Sequence, residues 1–105
     1  MILSQSNTLT QDINAARKAG YLIEFYFRNG KLIGRNPNRS YSPSDCFLVE
    51  HCRHEGMSDP GDASILFLIQ CADGQKGYLS SAYGIYANTE LIDFIRSMKK
   101  MNNPK

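Results

Sequence analysis

The sequence predicts an α+β fold, an antiparallel meander of about five strands with an N-terminal and a C-terminal helix packed on one face. Three observations carry this expectation. Asn29-Gly30 and Asp73-Gly74 each separate two strand-like runs, as hairpin turns that need positive φ do. Ile65 to Ile69 is an unbroken apolar run, too short for a buried helix, and so reads as a central strand. Helical spacing of apolar residues occurs near both ends, in Leu9, Ile13, Ala16 and Ala19 and in Leu91, Phe94, Ile95, Met98 and Met101.

The first helix starts where Thr8-Leu9-Thr10-Gln11 fits a capping box, with Thr8 as N-cap and Gln11 at N3. Arg17 and Lys18 complement the dipole of the last turn, and Gly20 suits the C′ position. From Tyr21 to Arg28, Ile23, Phe25 and Phe27 alternate with Glu24, Tyr26 and Arg28, the pattern of a half-buried strand. Lys31 to Gly34 returns after the turn. Arg35 to Asp45, with two prolines and little to bury, reads as a loop. Cys46 to His54 is the third strand. Unbroken alternation there puts Cys46, Leu48, Glu50, Cys52 and His54 on one face and Phe47, Val49, His51 and Arg53 on the other. Glu55 to Ser64 is an acidic loop, Ile65 to Ala72 the fourth strand and Gln75 to Ala82 the fifth. Asn88 or Thr89 caps the last helix, and Lys99 and Lys100 stand at its C-terminal end.

The 105 residues fit one domain, 1–105, with 1–7 and 102–105 as loose tails. A hydrophobic fraction of 42% against 21% charged argues for a folded core rather than disorder. Twelve basic and ten acidic residues are too evenly balanced to point to a polyanion, which argues against nucleic acid as partner. The longest apolar run is far short of a membrane span. The first residues lack a basic n-region and a full h-region, so a cytoplasmic location is expected, with Cys46, Cys52 and Cys71 reduced.

Residues able to carry chemistry gather around His54. The loop after it holds Glu55, Ser58, Asp59 and Asp62, oxygen donors of the kind that hard divalent cations accept. Their spacing matches no EF-hand, and Asp59-Pro60-Gly61-Asp62 also has the composition of a tight turn. Strand geometry splits His51-Cys52-Arg53-His54, leaving Cys52 with His54, joined across the ladder by Cys71 and Cys46. These are donors that zinc accepts, or else thiols packed as small hydrophobes beside a hydrogen-bonded histidine. A Cys52–His54 nucleophile pair lacks a visible third, orienting residue. Tyr83 and Tyr86, with Tyr78, suit a pocket wall or packing of the sheet edge on the last helix. Arg28, Lys31, Arg35 and Arg39, interleaved with Tyr26 and Tyr41, form a basic cluster without the signature of a nucleic-acid module. The glycines match neither a P-loop nor a dinucleotide fingerprint. The expected ligand-binding set is His54, Glu55, Ser58, Asp59, Asp62, Tyr83 and Tyr86. No catalytic residue, metal ligand or cofactor is assigned.

The run Glu55-Gly56-Met57-Ser58-Asp59-Pro60-Gly61-Asp62-Ala63-Ser64-Ile65-Leu66, with Asp73-Gly74-Gln75-Lys76-Gly77 and Ala82-Tyr83-Gly84-Ile85-Tyr86, resembles a family of short uncharacterised bacterial proteins. The resemblance extends from about Leu9 to Tyr86. Some members carry the automatic label phosphoribosylpyrophosphate synthetase. Enzymes of that kind are several times longer and need an apolar strand running into paired acids. Here that strand ends in Gln70-Cys71-Ala72, followed by the single acid Asp73. The resemblance implies one domain and brings no activity or site residues.

The continuous run Ile65–Ile69 implies a strand buried on both sides. With both helices on one face, a second copy is expected to cover the other. The functional expectation is a non-enzymatic module that binds a small molecule or protein partner as a homodimer. The alternative is a small enzyme or divalent-metal-dependent protein using the Glu55–Asp62 loop.

Overall fold

The strands divide between two sheets in the computed structural model, which describes residues 2–4, 7–34, 39–54, 64–82 and 89–100. Helix α1 (Leu9–Lys18) leads into β1 (Ile23–Glu24), β2 (Tyr26–Arg28), β3 (Lys31–Gly34) and β4 (Arg39–Tyr41). A 3-10 turn at Pro43–Asp45 precedes β5 (Cys46–His54), β6 (Ser64–Cys71) and β7 (Lys76–Ala82). Helix α2 (Thr89–Ser97) and the short β8 (Lys99–Lys100) follow. The larger sheet has the order β1-β7-β6-β5-β8, and the smaller is β2-β3-β4. Strands β5, β6 and β7 are antiparallel, whereas β1 and β8 join the edges in parallel.

Local chemistry accounts for the element ends. The Thr8 hydroxyl accepts from the Gln11 backbone at 3.1 Å, and the Gln11 side chain accepts from the Thr8 backbone at 2.9 Å. At the other end of α1, Tyr21 N donates to Ala16 O and Gly20 N to Arg17 O, a Schellman motif closed by Gly20 at φ 102°. Asn29 and Gly30 both take positive φ in the turn that pairs Arg28 with Lys31.

Three departures from the expected meander stand out, and the first has an identifiable cause. The run from Tyr21 to Arg28 breaks at Phe25, whose backbone N–H reaches Tyr78 O at 2.9 Å while its ring inserts between the sheets. A Cβ on Gly77 would lie 2.2 Å from Ile23 O and 2.6 Å from Phe25 Cε2, so only glycine lets β1 lie this close to β7. The stretch read as a loop contains β4, which pairs with β3. Lys99 and Lys100 stand in β8 opposite Phe47 and Leu48 and do not extend the helix.

The two helices lie on opposite faces of the larger sheet, contrary to the expected arrangement. Alternate residues of β6 point opposite ways. Leu66 and Leu68 pack with Leu3, Ala16 and Tyr21, on the α1 side. Phe67, Ile69 and Cys71 pack with Leu91, Phe94, Ile95 and Met98 of α2, and with Phe25, Leu32 and Tyr41 of the smaller sheet. Leu66, Leu68 and Ile69 are wholly buried, each worth about 1.5–3 kcal/mol. The apolar run of β6 is therefore covered on both sides by its own chain, and the reason for expecting a second copy lapses.

Candidate functional site

A β-bulge decides what His54 faces. Leu48 pairs with Ile69 and Glu50 with Leu68, so Val49 is an extra residue in β5. The alternation shifts phase there. Cys46 and Leu48 lie in the cluster on the α2 side, while Cys52 lies on the α1 side. The face expected to hold all of Cys46, Leu48, Glu50, Cys52 and His54 is thus split, and Cys71 and Cys46 do not join Cys52 and His54.

On the α1 side, His54 meets Asp12. His54 Nε2 lies 2.7 Å from Asp12 Oδ2, with the carboxylate 0% and the imidazole 8% exposed. Asp12 is buried because it shares the inward stripe of α1 with Leu9, three residues before, and Ala16, four after. A carboxylate in such a place needs donors to offset its lost hydration. It receives them from Ser4 N at 3.2 and 3.1 Å, Asn7 Nδ2 at 2.7 Å and His54. Glu50, turned to the same side by the bulge, accepts from Ile2 N at 3.0 and 3.1 Å and from Leu3 N at 2.8 Å. The two carboxylates anchor residues 2–4 and Asn7 across α1 and β5.

Cys52 completes the cluster. One ligand atom from each of Asp12, Cys52 and His54 lies within 4.8 Å of the others. Burial foremost, then the Asp12 and Glu50 charges, push the Cys52 thiol up, so it rests protonated. That state makes it a poor nucleophile, and Asp12 placed as the orienting third residue does not alter this. Because a carboxylate only accepts, Nε2 carries the proton in the bond to Asp12. His54 Nδ1 is then left buried, with no hydrogen-bond partner among the described residues. A lone pair on one histidine nitrogen, with a carboxylate orienting the other, is the arrangement that ligating histidines adopt.

Of the expected site residues, His54 is the one among the described residues, and it belongs to this cluster. Glu55, Ser58, Asp59, Asp62, Tyr83 and Tyr86 lie outside the described residues. Asp12 was not visible as a site residue, although a carboxylate on an apolar helical stripe is itself a signal. In the basic cluster the described members, Arg28, Lys31 and Arg39, are all exposed. Arg39 pairs with Asp73 at 3.2 Å, Arg35 lies outside the described residues, and Arg28 and Lys31 are exposed at the hairpin end. Tyr41 is buried and donates to Asp73 at 3.0 Å.

Among the described residues, two clefts lie elsewhere. One, of about 410 Å³, is lined by Arg39, Ser40, Tyr41, Asp45, Ala72 and Asp73. The other, of about 280 Å³, runs between β1, β2 and β7 over Phe25, Phe27 and Leu79, with Glu24 and Ser80 among its polar residues. Among the described residues no helix is long and apolar enough to cross a membrane. No protein-family model, curated protein or solved structure matches the chain.

Proposed function

We propose that the chain is a non-enzymatic binding module whose ligand is a transition-metal ion of the zinc class, held by Cys52 and His54. The observation that carries this reading is the buried Nδ1 of His54, without a hydrogen-bond partner among the described residues, on a ring that clusters with the Cys52 thiol and the Asp12 carboxylate. Nitrogen, sulfur and carboxylate oxygen are the donors zinc selects. Asp12 orients the imidazole through Nε2 and offsets the charge of the ion. Remaining positions go to solvent. Hydrolytic or nucleophilic catalysis is the weaker reading, since the Cys52 thiol is held protonated.

Binding must displace the Cys52 proton. Because that thiol is pushed up, affinity should rise with pH across the neutral range, with about one proton released per ion bound. Titration with Co²⁺ tests this directly. The expected result is one ion per chain, with a thiolate-to-cobalt charge-transfer band that Cys52→Ser abolishes. Absence of binding, or binding unchanged by Cys52→Ser, would overturn the proposal.

A further inference from the structure

Cys46 and Cys71 stand directly opposite each other at the end of the β5–β6 ladder, both buried and reduced. Ala72 N donates to Asp45 O at 2.8 Å, which makes Asp45–Ala72 the hydrogen-bonded pair. Pairs alternate along an antiparallel ladder, so Cys46–Cys71 is a non-hydrogen-bonded pair, the closer kind, with Cα atoms about 4.5 Å apart. That separation falls inside the range a disulfide spans, about 4.4–6.8 Å. Both thiols and the Tyr41 ring pack in one buried cluster. A cleft of about 410 Å³ lies nearby, lined by Tyr41, which packs in one cluster with both cysteines, and by Asp45 and Ala72, their chain neighbours.

We propose that Cys46 and Cys71 are a modification site that closes into a reversible cross-strand disulfide on exposure to hydrogen peroxide. One sulfur, as thiolate, attacks the peroxide. An S–O bond forms, the O–O bond breaks, and the departing hydroxide leaves as water with the thiol's proton. The second sulfur attacks the resulting sulfenic acid. The S–S bond forms, the S–O bond breaks, and hydroxide takes the second thiol's proton as water. Two thiols and one peroxide give one disulfide and two waters, and an added dithiol reverses the change. The Cys46 thiol beside it and burial push the Cys71 thiol up, so it rests protonated as Cys52 does, and closure is slow at neutral pH and speeds up as pH rises. The pair lies across the sheet from Cys52, so this proposal stands or falls apart from the metal reading.

The test exposes the native full-length chain to hydrogen peroxide, quenches it, and counts thiols with a maleimide under denaturing, non-reducing conditions. The expected count falls from three to one, with a linked peptide carrying Cys46 and Cys71 and lacking two hydrogens. Dithiothreitol should restore all three thiols, and Cys52→Ser should fall from two to none. Three thiols surviving a dose that oxidises the urea-unfolded chain would overturn the proposal. So would a link through Cys52, or sulfinic acid at either cysteine without a link.

Discussion

Replacing Asp12 by alanine tests whether the buried carboxylate holds the α1 face together. Three donors lose their acceptor: the Ser4 N–H, the Asn7 side-chain amide and His54 Nε2. A buried donor left unpaired costs about 1–3 kcal/mol, and with partial relaxation of Ser4 and Asn7 the sum is roughly 3–5 kcal/mol. A domain of this size has a total stability of about 5–15 kcal/mol, so the loss is a large share. Urea unfolding followed by circular dichroism should show the midpoint fall by roughly 2 M at a slope near 2 kcal/mol/M. Asp12→Asn keeps the shape but turns an amide donor towards other donors, and should cost roughly 1–2 kcal/mol. In a double-mutant cycle, Asp12→Ala and His54→Ala should be non-additive by about 1–3 kcal/mol. A loss under about 1 kcal/mol for Asp12→Ala, or additivity with His54→Ala, would refute the reasoning.

Gly77→Ala should destabilise by about 2–3 kcal/mol or more, because the added Cβ meets the Ile23 carbonyl at 2.2 Å; thermal melts check this, and a neutral outcome would show that β1 does not lie on β7 as described. Glu50→Gln should cost about 1 kcal/mol and speed hydrogen exchange at the Ile2 and Leu3 amides, leaving α2 amides unchanged. The Gln75 backbone N–H foremost, with the Tyr41 hydroxyl and Arg39, holds the Asp73 carboxyl below its usual 3.8 against the opposing pull of desolvation. A lowered folded-state value gives stability that is present above the unfolded value and lost as pH falls through the folded one. Asp73→Asn should therefore flatten the acid limb of a stability–pH curve below about pH 4, and a limb of unchanged steepness would count against this role for Asp73.

The candidate site was half legible. Cys52 and His54 are two apart on a strand, so their common face follows from the period of two. Asp12, 42 residues away, carried only the hint of its place between Leu9 and Ala16. Alternation also joined Cys46 to the same face as Cys52. One bulge residue, Val49, undoes that grouping, and a bulge of this kind has no local signature in Leu48-Val49-Glu50.

What the sequence determined by itself is what contacts of short range decide. The capping box at Thr8, the Schellman close at Gly20, the turn at Asn29-Gly30 and the apolar core of β6 all rest on neighbours a few residues apart. Only the tertiary structure decided which face each helix covers, where the Tyr21–Arg28 run breaks, and which charged groups meet. Those outcomes depend on a ring at Phe25 fitting between two sheets over Gly77, and on a buried carboxylate needing donors from distant segments. No window along the chain contains both partners of such a contact, so packing had to choose.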